Sequence, residues 1–148
     1  MAEAPIIRPA TPADAAEIAR LAGQLGYPCT PKQMEARLAD VLATAGHRVL
    51  VAQGPDGAIV GWLHVGCLKW LEGDPRAEIG GLVVDEARRG EKIGERLVEA
   101  AIRWAEGKGY SEVRVRSNVA RADAHRFYER LGFVRVKVQQ VFRRSLGR

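Results

Sequence analysis

The sequence predicts an α/β domain in which helices flank a mixed β-sheet. Three observations indicate this fold class: apolar residues recur at helical spacing in several segments, strand-like runs lie between those segments, and neither a repeat nor a long linker divides the chain. The predicted element order is β-α-α-β-β-β-α-β-α-β-β. Because 148 residues is the length of one ordinary domain, we expect a single domain over residues 1–148.

The first elements are a short strand at residues 6–8 and two helices. A threonine followed by a proline begins each helix, at Thr11 and at Thr30, since a hydroxyl caps the free amides and proline suits the first helical position. The second start is a full capping box, because Gln33 follows Thr30 three residues later.

A β-hairpin and a central strand follow the helices. Residues 49–52 and 59–68 flank the turn sequence Gly-Pro-Asp-Gly at 54–57, which predicts the hairpin. Residues 77–84 form a strand whose continuously apolar end is typical of the centre of a sheet. We expect the next helix to run from Gly90 to about Glu106.

The last third of the chain is predicted to alternate strand and helix. Valines and arginines alternate over residues 112–117, which suits a strand with one buried face. A helix is expected over residues 121–131, and two short strands over residues 133–137 and 140–146 complete the chain.

Composition and charge exclude several classes of protein. No apolar run is long enough to cross a membrane, and the N-terminus lacks the pattern of a signal peptide, so we expect a cytoplasmic protein that does not bind membranes. Cys29 and Cys67 are isolated and lie in no ligand spacing, which predicts reduced thiols and no metal site. The net charge of +5 favours anionic partners, without choosing between nucleic acid and a phosphorylated cofactor.

Residues 82–97 lead from an apolar strand through a basic, glycine-bearing turn into an amphipathic helix. Amides at a helix N-terminus are unpaired and face the positive end of the helix dipole, and Arg88, Arg89 and Lys92 add full charges. The segment therefore predicts a phosphate or pyrophosphate site, unless it is an ordinary solvated connection. The dinucleotide fingerprint and the Walker loop are both absent.

A second segment, Ser-Asn-Val-Ala-Arg-Ala-Asp-Ala-His-Arg-Phe-Tyr-Glu-Arg-Leu-Gly-Phe at residues 117–133, narrows the interpretation. Together the two segments closely resemble the GCN5-related N-acetyltransferases (GNAT). The resemblance is specific in the Arg/Gln-x-x-Gly-x-Gly/Ala loop at residues 89–94 and in the Asn…Ala-x-x-Phe-Tyr-Glu-x-x-Gly-Phe segment at 118–133, whereas the first 75 residues match only in layout. It implies a twisted, largely antiparallel mixed sheet with a parallel pair that splays at an acetyl-coenzyme A (acetyl-CoA) site.

The resemblance also implies which residues contact acetyl-CoA. The pantetheine would lie along the strand end and the pyrophosphate on the loop amides. Asn118 matches a position that contacts pantetheine, and Tyr128 matches a tyrosine that protonates the departing thiolate. A phenol with a pKa of about 10 still carries its proton at pH 7. The implied cofactor-binding residues are Leu82, Val83, Val84, Arg88, Arg89, Gly90, Glu91, Lys92, Ile93, Gly94, Glu95, Asn118, Phe127 and Arg130.

Lys92 stands where the loop of the family has its middle glycine. If the site uses only the backbone N–H, a helical φ permits lysine there and the ammonium adds attraction to the phosphates. If close approach needs the glycine, affinity for acetyl-CoA falls. We expect the first, because Gly90 and Gly94 remain where the chain should be most crowded.

An amine acceptor must lose a proton before it attacks a thioester. For a lysine-like amine this costs about 4.6 kcal/mol at pH 7. Glu78 lies eleven residues before Arg89, a spacing that resembles a catalytic glutamate of the histone-modifying branch, so it is the candidate base, directly or through water. The alternative is an exposed or salt-bridged strand carboxylate. His64 is a second candidate base or a hydrogen-bonded core residue, and His47 is expected in a loop.

The acceptor pocket is implied by the resemblance to lie near the turn between the first two helices and the loop before the long strand. Tyr27, Trp70, Glu72 and Asp74 would suit a cationic amine with an apolar portion, unless they are ordinary loop residues. His64 is a further candidate substrate-binding residue. Cys67 has no His/Asp pattern around it, and direct transfer needs no nucleophilic residue.

The leading hypothesis is an acetyl-CoA-dependent N-acetyltransferase that uses no metal and does not act on nucleic acid. It moves the acetyl group to a primary amine, of a small molecule or a protein, in a ternary complex, with Tyr128 as acid and Glu78 as base. The sequence does not decide whether the protein is a monomer or a homodimer. The alternatives are a basic nucleic-acid-binding module and an acetyl-CoA-binding sensor without catalysis.

Overall fold

A computed structural model describes residues 4–117 and 119–148. The strands are β1 (Ile6–Pro9), β2 (His47–Gln53), β3 (Ile59–Leu68), β4 (Arg76–Val84) and β5 (Val113–Val115). The helices are α1 (Ala15–Leu25), α2 (Pro31–Leu42), α3 (Ile93–Gly107) and α4 (Ala122–Arg130), with 3-10 turns at Pro12–Asp14 and Glu86–Arg88. The chain divides into two compact units, Met1–Arg116 and Ser117–Arg148.

The first unit is built on a five-stranded sheet in which the strands lie in sequence order. The first four strands are antiparallel, and β5 joins β4 in parallel, which confirms the predicted mixed sheet. The parallel pairing runs only from Ala77–Val113 to Ile79–Val115, whereas β4 continues to Val84. Among the described residues, the backbone of β4 beyond Ile79 therefore has no strand partner on the β5 side.

A bulge in β4 accompanies this change. His64 of β3 pairs with Gly81, and Val65 pairs with Ile79, so Gly80 is an extra residue on β4. Bulges bend a strand and increase its twist. The bulge thus lies where β4 loses its parallel neighbour.

Helices cover both faces of the sheet. The indole of Trp62 donates to the carbonyl of Ile18 in α1, 3.2 Å away. The neighbouring Gly61 faces α3 on the opposite side of the sheet, because a Cβ placed there would lie 3.2 Å from the side chain of Leu97. The core on the α1 and α2 face is apolar and contains Ile18, Leu21, Leu38, Val49, Val51, Ile59 and Val83.

The second unit contains α4 and a C-terminal segment without regular secondary structure, residues 132–148. The two strands predicted at 133–137 and 140–146 are wrong, since the described backbone there forms no strand. Alternating valines satisfy the strand pattern, but a strand also needs a hydrogen-bonded neighbour. The exposed large apolar side chains of this segment are Val134, Val136, Val138, Val141, Phe142 and Leu146.

Three smaller predictions also needed correction. α3 begins at Ile93 rather than at Gly90, β5 is limited to three residues, and His47 is the first residue of β2 rather than part of a loop. Gly90 and Lys92 have φ values of 88° and 61°, which interrupt the right-handed helix. No described helix is both long and apolar enough to span a membrane.

Candidate active site

The turn between β4 and α3 contains the residues of the predicted anion site. The amide of Arg96 donates to the carbonyl of Lys92, 3.1 Å away, at the start of α3. The amides of the first turn, at residues 93–95, have no acceptor within the helix. They face outward at the positive end of the helix dipole and can donate to an anionic ligand.

Lys92 adopts the left-handed conformation, with φ 61° and ψ 22°. The expectation that a helical φ would accommodate lysine is therefore wrong. For a residue with a Cβ this conformation costs about 1–2 kcal/mol. Crowding does not explain Gly90 either, because a Cβ there would meet nothing within 4 Å, while its φ of +88° favours glycine. Conformation, and not close packing, therefore explains the glycine at position 90, whereas the left-handed conformation at position 92 disfavours the lysine that is present.

The three cations of the turn are not equivalent. Arg88 forms a bidentate ion pair with Glu91, with N–O distances of 2.8 and 2.9 Å, and this pair lowers the pKa of Glu91. Within the described residues, Arg89 and Lys92 are exposed and form no ion pair. These two side chains are thus the cations of the turn that an anionic ligand can engage.

Helix α1 holds the start of this turn. Asp85 accepts from the amide of Ala87 at 3.1 Å and from the guanidinium of Arg20 at 3.1 Å. Gln24 accepts from the amide of Glu86 at 2.9 Å. The amide of Ala87, and then Arg20 and Gln24, lower the pKa of Asp85. The contacts of Arg20 and Gln24 with this turn were not predicted. Their only signal in the sequence is the four-residue spacing that places both residues on the polar side of α1.

The unpaired stretch of β4 leads into the turn. Leu82, Val83 and Val84 pair with β3 on one side, opposite Leu63, Trp62 and Gly61. On the other side their backbone can pair with an extended, amide-bearing ligand. The strand edge and the first-turn amides thus lie on either side of the same turn, and each has backbone groups that a ligand can engage.

Glu78 lies on β4, two residues before the bulge, with its side chain 18% exposed. Its Oε2 accepts from Nε of Arg116 at 3.2 Å. Its Oε1 is buried and has no hydrogen-bond partner among the described residues. The carboxylate is salt-bridged, as one of the two interpretations held, and its other oxygen is buried without a donor from the described residues.

His64 forms a hydrogen-bonded pair with His47. Nε2 of His64 lies 2.8 Å from Nδ1 of His47, and the ring centroids are 5.1 Å apart. Burial, and then the nearby His47, lower the pKa of His64. The hydrogen-bonded interpretation of His64 is therefore correct, and its partner was not recognised because His47 was expected in a loop.

A cavity of about 340 Å³ lies between the first two helices and the sheet, and we call it the α2 cavity. Its lining residues are Ile18, Met34, Arg37, Leu38, Val41, Val49, Trp62 and His64. Tyr27 and Trp70 lie in turns, are 73% and 58% exposed, and do not line the cavity. The structure does not bring these two aromatic residues to His64, and their contact with an acceptor stays a prediction.

The second unit carries Tyr128 on α4. Its ring packs edge-on against Phe127 and Phe133, at centroid distances of 5.0 and 5.5 Å. Burial raises the pKa of Tyr128 above its ordinary value, against the opposing charge of Arg121. The phenol therefore keeps its proton at neutral pH.

The remaining predicted residues of the second unit have no assigned contact to a ligand. Arg130 lies exposed at the end of α4, and Phe127 is half-buried beside Tyr128. Asn118 lies outside the described residues. The roles of these residues at a cofactor stay predictions.

Comparison with known proteins agrees with this geometry. The acetyltransferase (GNAT) family profile matches residues 15–133. An aminoglycoside N(6')-acetyltransferase type 1 from Stenotrophomonas maltophilia is 32% identical over 151 residues, covering 99% of this chain and 97% of that relative. A protein of the same description from Serratia marcescens is 28% identical over 122 residues, covering 80% of this chain and 84% of that relative.

A solved structure has the same fold. Aminoglycoside N-acetyltransferase AAC(6')-Iy, in complex with CoA, superposes with a TM-score of 0.86 at 18% identity, covering 97% of this chain and 96% of that chain. The family profile spans β2 to β5, the turn at residues 89–95 and α4. The chain therefore belongs to the GNAT family and is an N-acetyltransferase with acetyl-CoA as its co-substrate.

Proposed function

We propose that Glu78 and Tyr128 are the base and the acid of a direct acetyl transfer from acetyl-CoA to a primary amine. The proposal rests mainly on the buried Oε1 of Glu78, which has no partner among the described residues. Glu78 lies on β4, whose far end has no described strand partner on the β5 side. A buried carboxylate oxygen without a donor is costly unless a ligand or water occupies the position beside it.

In the proposed reaction Glu78 removes a proton from the amine and Tyr128 gives one to the departing sulfur. Glu78 accepts a proton from the ammonium, directly or through one water molecule, and the neutral nitrogen attacks the thioester carbonyl. The N–C bond forms, the C–S bond breaks, and the sulfur takes the phenolic proton of Tyr128. The nitrogen, which carries an extra proton after the attack, releases it to solvent as the amide forms. The tyrosinate regains a proton from solvent. The raised pKa of Tyr128 supports this role, because the phenol is protonated when the reaction begins.

We infer that the acceptor is an aminoglycoside-type polyamine. The relatives from Stenotrophomonas maltophilia and Serratia marcescens, which carry the aminoglycoside description, support this class. Glu72 and Asp74 are exposed in the turn between β3 and β4, beside Trp70. Two carboxylates and an indole ring form a surface that attracts an amino sugar.

A thiol-release assay with matched acceptors tests the acceptor class. We expect release of CoA thiol with an aminoglycoside that carries a 6'-amine, and none with the analogue that carries a 6'-hydroxyl. The product should gain the mass of one acetyl group. Free lysine, a linear polyamine and a lysine-bearing peptide form the comparison set, and faster turnover with any of these would contradict the aminoglycoside class while leaving N-acetylation in place.

We also propose a homodimer that covers the C-terminal segment. Exposed apolar surface of this extent marks an interaction site. Val136 and Phe142 are 73% and 92% exposed. Light scattering should give a dimer mass for the wild type and a monomer mass for the Val136→Lys, Phe142→Lys variant, and a monomeric wild type would contradict the proposal.

We also propose that the protein is cytoplasmic. Cys29 and Cys67 are free thiols, which suits a reducing compartment. Fractionation of cells that express the tagged chain should recover it with the cytosolic proteins.

A further inference from the structure

His47 and His64 join β2 and β3 through their side chains. The distance of 2.8 Å between Nδ1 of His47 and Nε2 of His64 is that of a hydrogen bond, so one of the two nitrogens carries the shared proton. A pair of this kind can pass a proton from one ring to the other, because each imidazole has a second nitrogen that can take up or release one.

Gly66 positions the ring of His47. A Cβ at Gly66 would lie 2.6 Å from Cε1 and 2.7 Å from Nδ1 of His47, which means that the ring lies directly over this glycine. Any larger residue at position 66 would displace the ring. Glycine is required here by close approach.

The register of the sheet places Glu78 on the other side of the same glycine. Gly66 pairs with His47 of β2 and with Glu78 of β4. Residues directly opposite each other across antiparallel strands have their side chains on the same face, and neighbouring strands are about 4.8 Å apart. The ring of His47 therefore extends across β3 on the face that carries the Glu78 carboxylate.

His64 connects this arrangement to the α2 cavity, because it belongs to the cavity lining. The charged groups that face the pair are Arg37 of α2 in the cavity wall and Glu78 of β4 with its partner Arg116. α1 contributes the apolar Ile18 to the same wall. Burial favours the neutral form of His64, so the resting pair can accept a proton.

We propose that the His47–His64 pair relays the amine proton from Glu78 to the α2 cavity. This inference rests on the proposed role of Glu78 as base. A water molecule bridges Oε1 of Glu78 and Nε2 of His47, the Nδ1 proton of His47 passes to Nε2 of His64, and the Nδ1 proton of His64 leaves to solvent in the cavity. One proton enters and one leaves, and Glu78 is again a carboxylate. Both rings then carry their proton on Nε2, and a flip of each ring, with proton exchange to water, restores the starting arrangement before the next turnover.

The experiment measures kcat and kcat/KM against pH for His64→Gln, His64→Ala and Glu78→Gln, with Arg48→Gln as the matched control. Arg48 follows His47 on β2 and points to the opposite face. For His64→Gln we expect kcat near pH 7 to fall about tenfold and the loss to shrink as pH approaches about 10, where the amine is already neutral. The Kd of acetyl-CoA should stay unchanged.

Chemical rescue by imidazole is a second test, because a purely structural role of His64 would not lead to recovery of activity. His64→Ala enlarges the α2 cavity by the space of one imidazole ring, and added imidazole should raise its kcat severalfold with saturation. Imidazole should not affect Arg48→Gln. A loss in His64→Gln that is the same at every pH, together with no rescue of His64→Ala, would overturn the relay and leave the pair a structural contact.

The same data separate failure of the relay from failure of the proposed base. A pH-dependent loss in Glu78→Gln with a wild-type profile in His64→Gln overturns the relay alone. A wild-type profile in Glu78→Gln overturns the base assignment and, with it, a relay that starts at Glu78. Folding is judged by circular dichroism and acetyl-CoA binding. Where His64→Ala does not fold, the pH profile of His64→Gln decides, and where His64→Gln does not fold, the imidazole rescue of His64→Ala decides.

Discussion

Nε of Arg116 lies 3.2 Å from Oε2 of Glu78, and this ion pair connects the residue that follows β5 to the middle of β4. It occupies one carboxylate oxygen and leaves Oε1 buried without a partner among the described residues. The ion pair therefore orients the carboxylate at the point where the parallel strands separate, since pairing between them ends at Ile79–Val115.

Glu78→Gln should lower kcat/KM by about 10²-fold near pH 7, because the amide keeps the size of the side chain but cannot accept a proton. The loss should shrink as pH rises toward the pKa of the amine, where the acceptor arrives neutral. Glu112→Gln is the matched control, since Glu112 forms an exposed ion pair with Arg114. An equal loss at every pH would assign Glu78 to ammonium binding or to structure.

Tyr128→Phe should lower kcat by about 10²-fold, since it keeps the ring and its edge contacts but removes the proton for the thiolate. The Kd of acetyl-CoA, measured by calorimetry, should change little. Tyr110→Phe is the control, because Tyr110 packs against Trp104 of α3 at a ring distance of 6.0 Å. A full rate in Tyr128→Phe would transfer the role of the acid to water.

Lys92→Gly should raise the free energy of unfolding by about 1 kcal/mol, because glycine adopts the left-handed conformation without the Cβ penalty. Acetyl-CoA should still bind, with a weaker dependence of its Kd on salt, since one exposed cation is lost. Urea unfolding and calorimetry at two salt concentrations measure both effects. Lower stability of the variant would show that contacts of the lysine side chain outweigh its backbone strain.

Asp14→Ala should lower the free energy of unfolding by about 3 kcal/mol at pH 7. Asp14 is buried and accepts two hydrogen bonds from Arg8, at 2.8 and 2.9 Å, and Arg8 is the main cause of its lowered pKa. Because the folded-state pKa lies below the ordinary value, the ion pair contributes above about pH 4 and is lost as pH falls through the lowered pKa.

Urea unfolding of the wild type and of Asp14→Ala at pH 7 and at a pH below about 3 measures this dependence. The difference between the two proteins should narrow in acid. A difference that is equal at both pH values would assign the effect of Asp14 to capping of the first turn, where it also accepts from the amide of Thr11 at 2.8 Å.

Features that depend on nearby residues could be read from the sequence. The capping box at Thr30 begins α2, with Gln33 donating to Oγ1 of Thr30 at 3.1 Å, and the turn at 54–57 joins two strands where expected. β3 spans the predicted residues 59–68. Hydrogen bonds and apolar periodicity within a few residues determine such elements, so the sequence contains the whole of their signal.

Other features depend on residues that are far apart in the chain. His47 and His64 are 17 residues apart, and Glu78 and Arg116 are 38 apart, so each contact exists only because the sheet register brings its partners together. The C-terminal segment has the pattern of a strand but lacks a paired neighbour. The sequence by itself determined the order of the elements as far as α4 and the family, and it named candidate site residues whose roles stay predictions. The tertiary structure decided the conformation of Lys92, the partners of Glu78 and His64 and the absence of strands in the described C-terminal segment, because backbone pairing and side-chain contacts are properties of the assembled sheet.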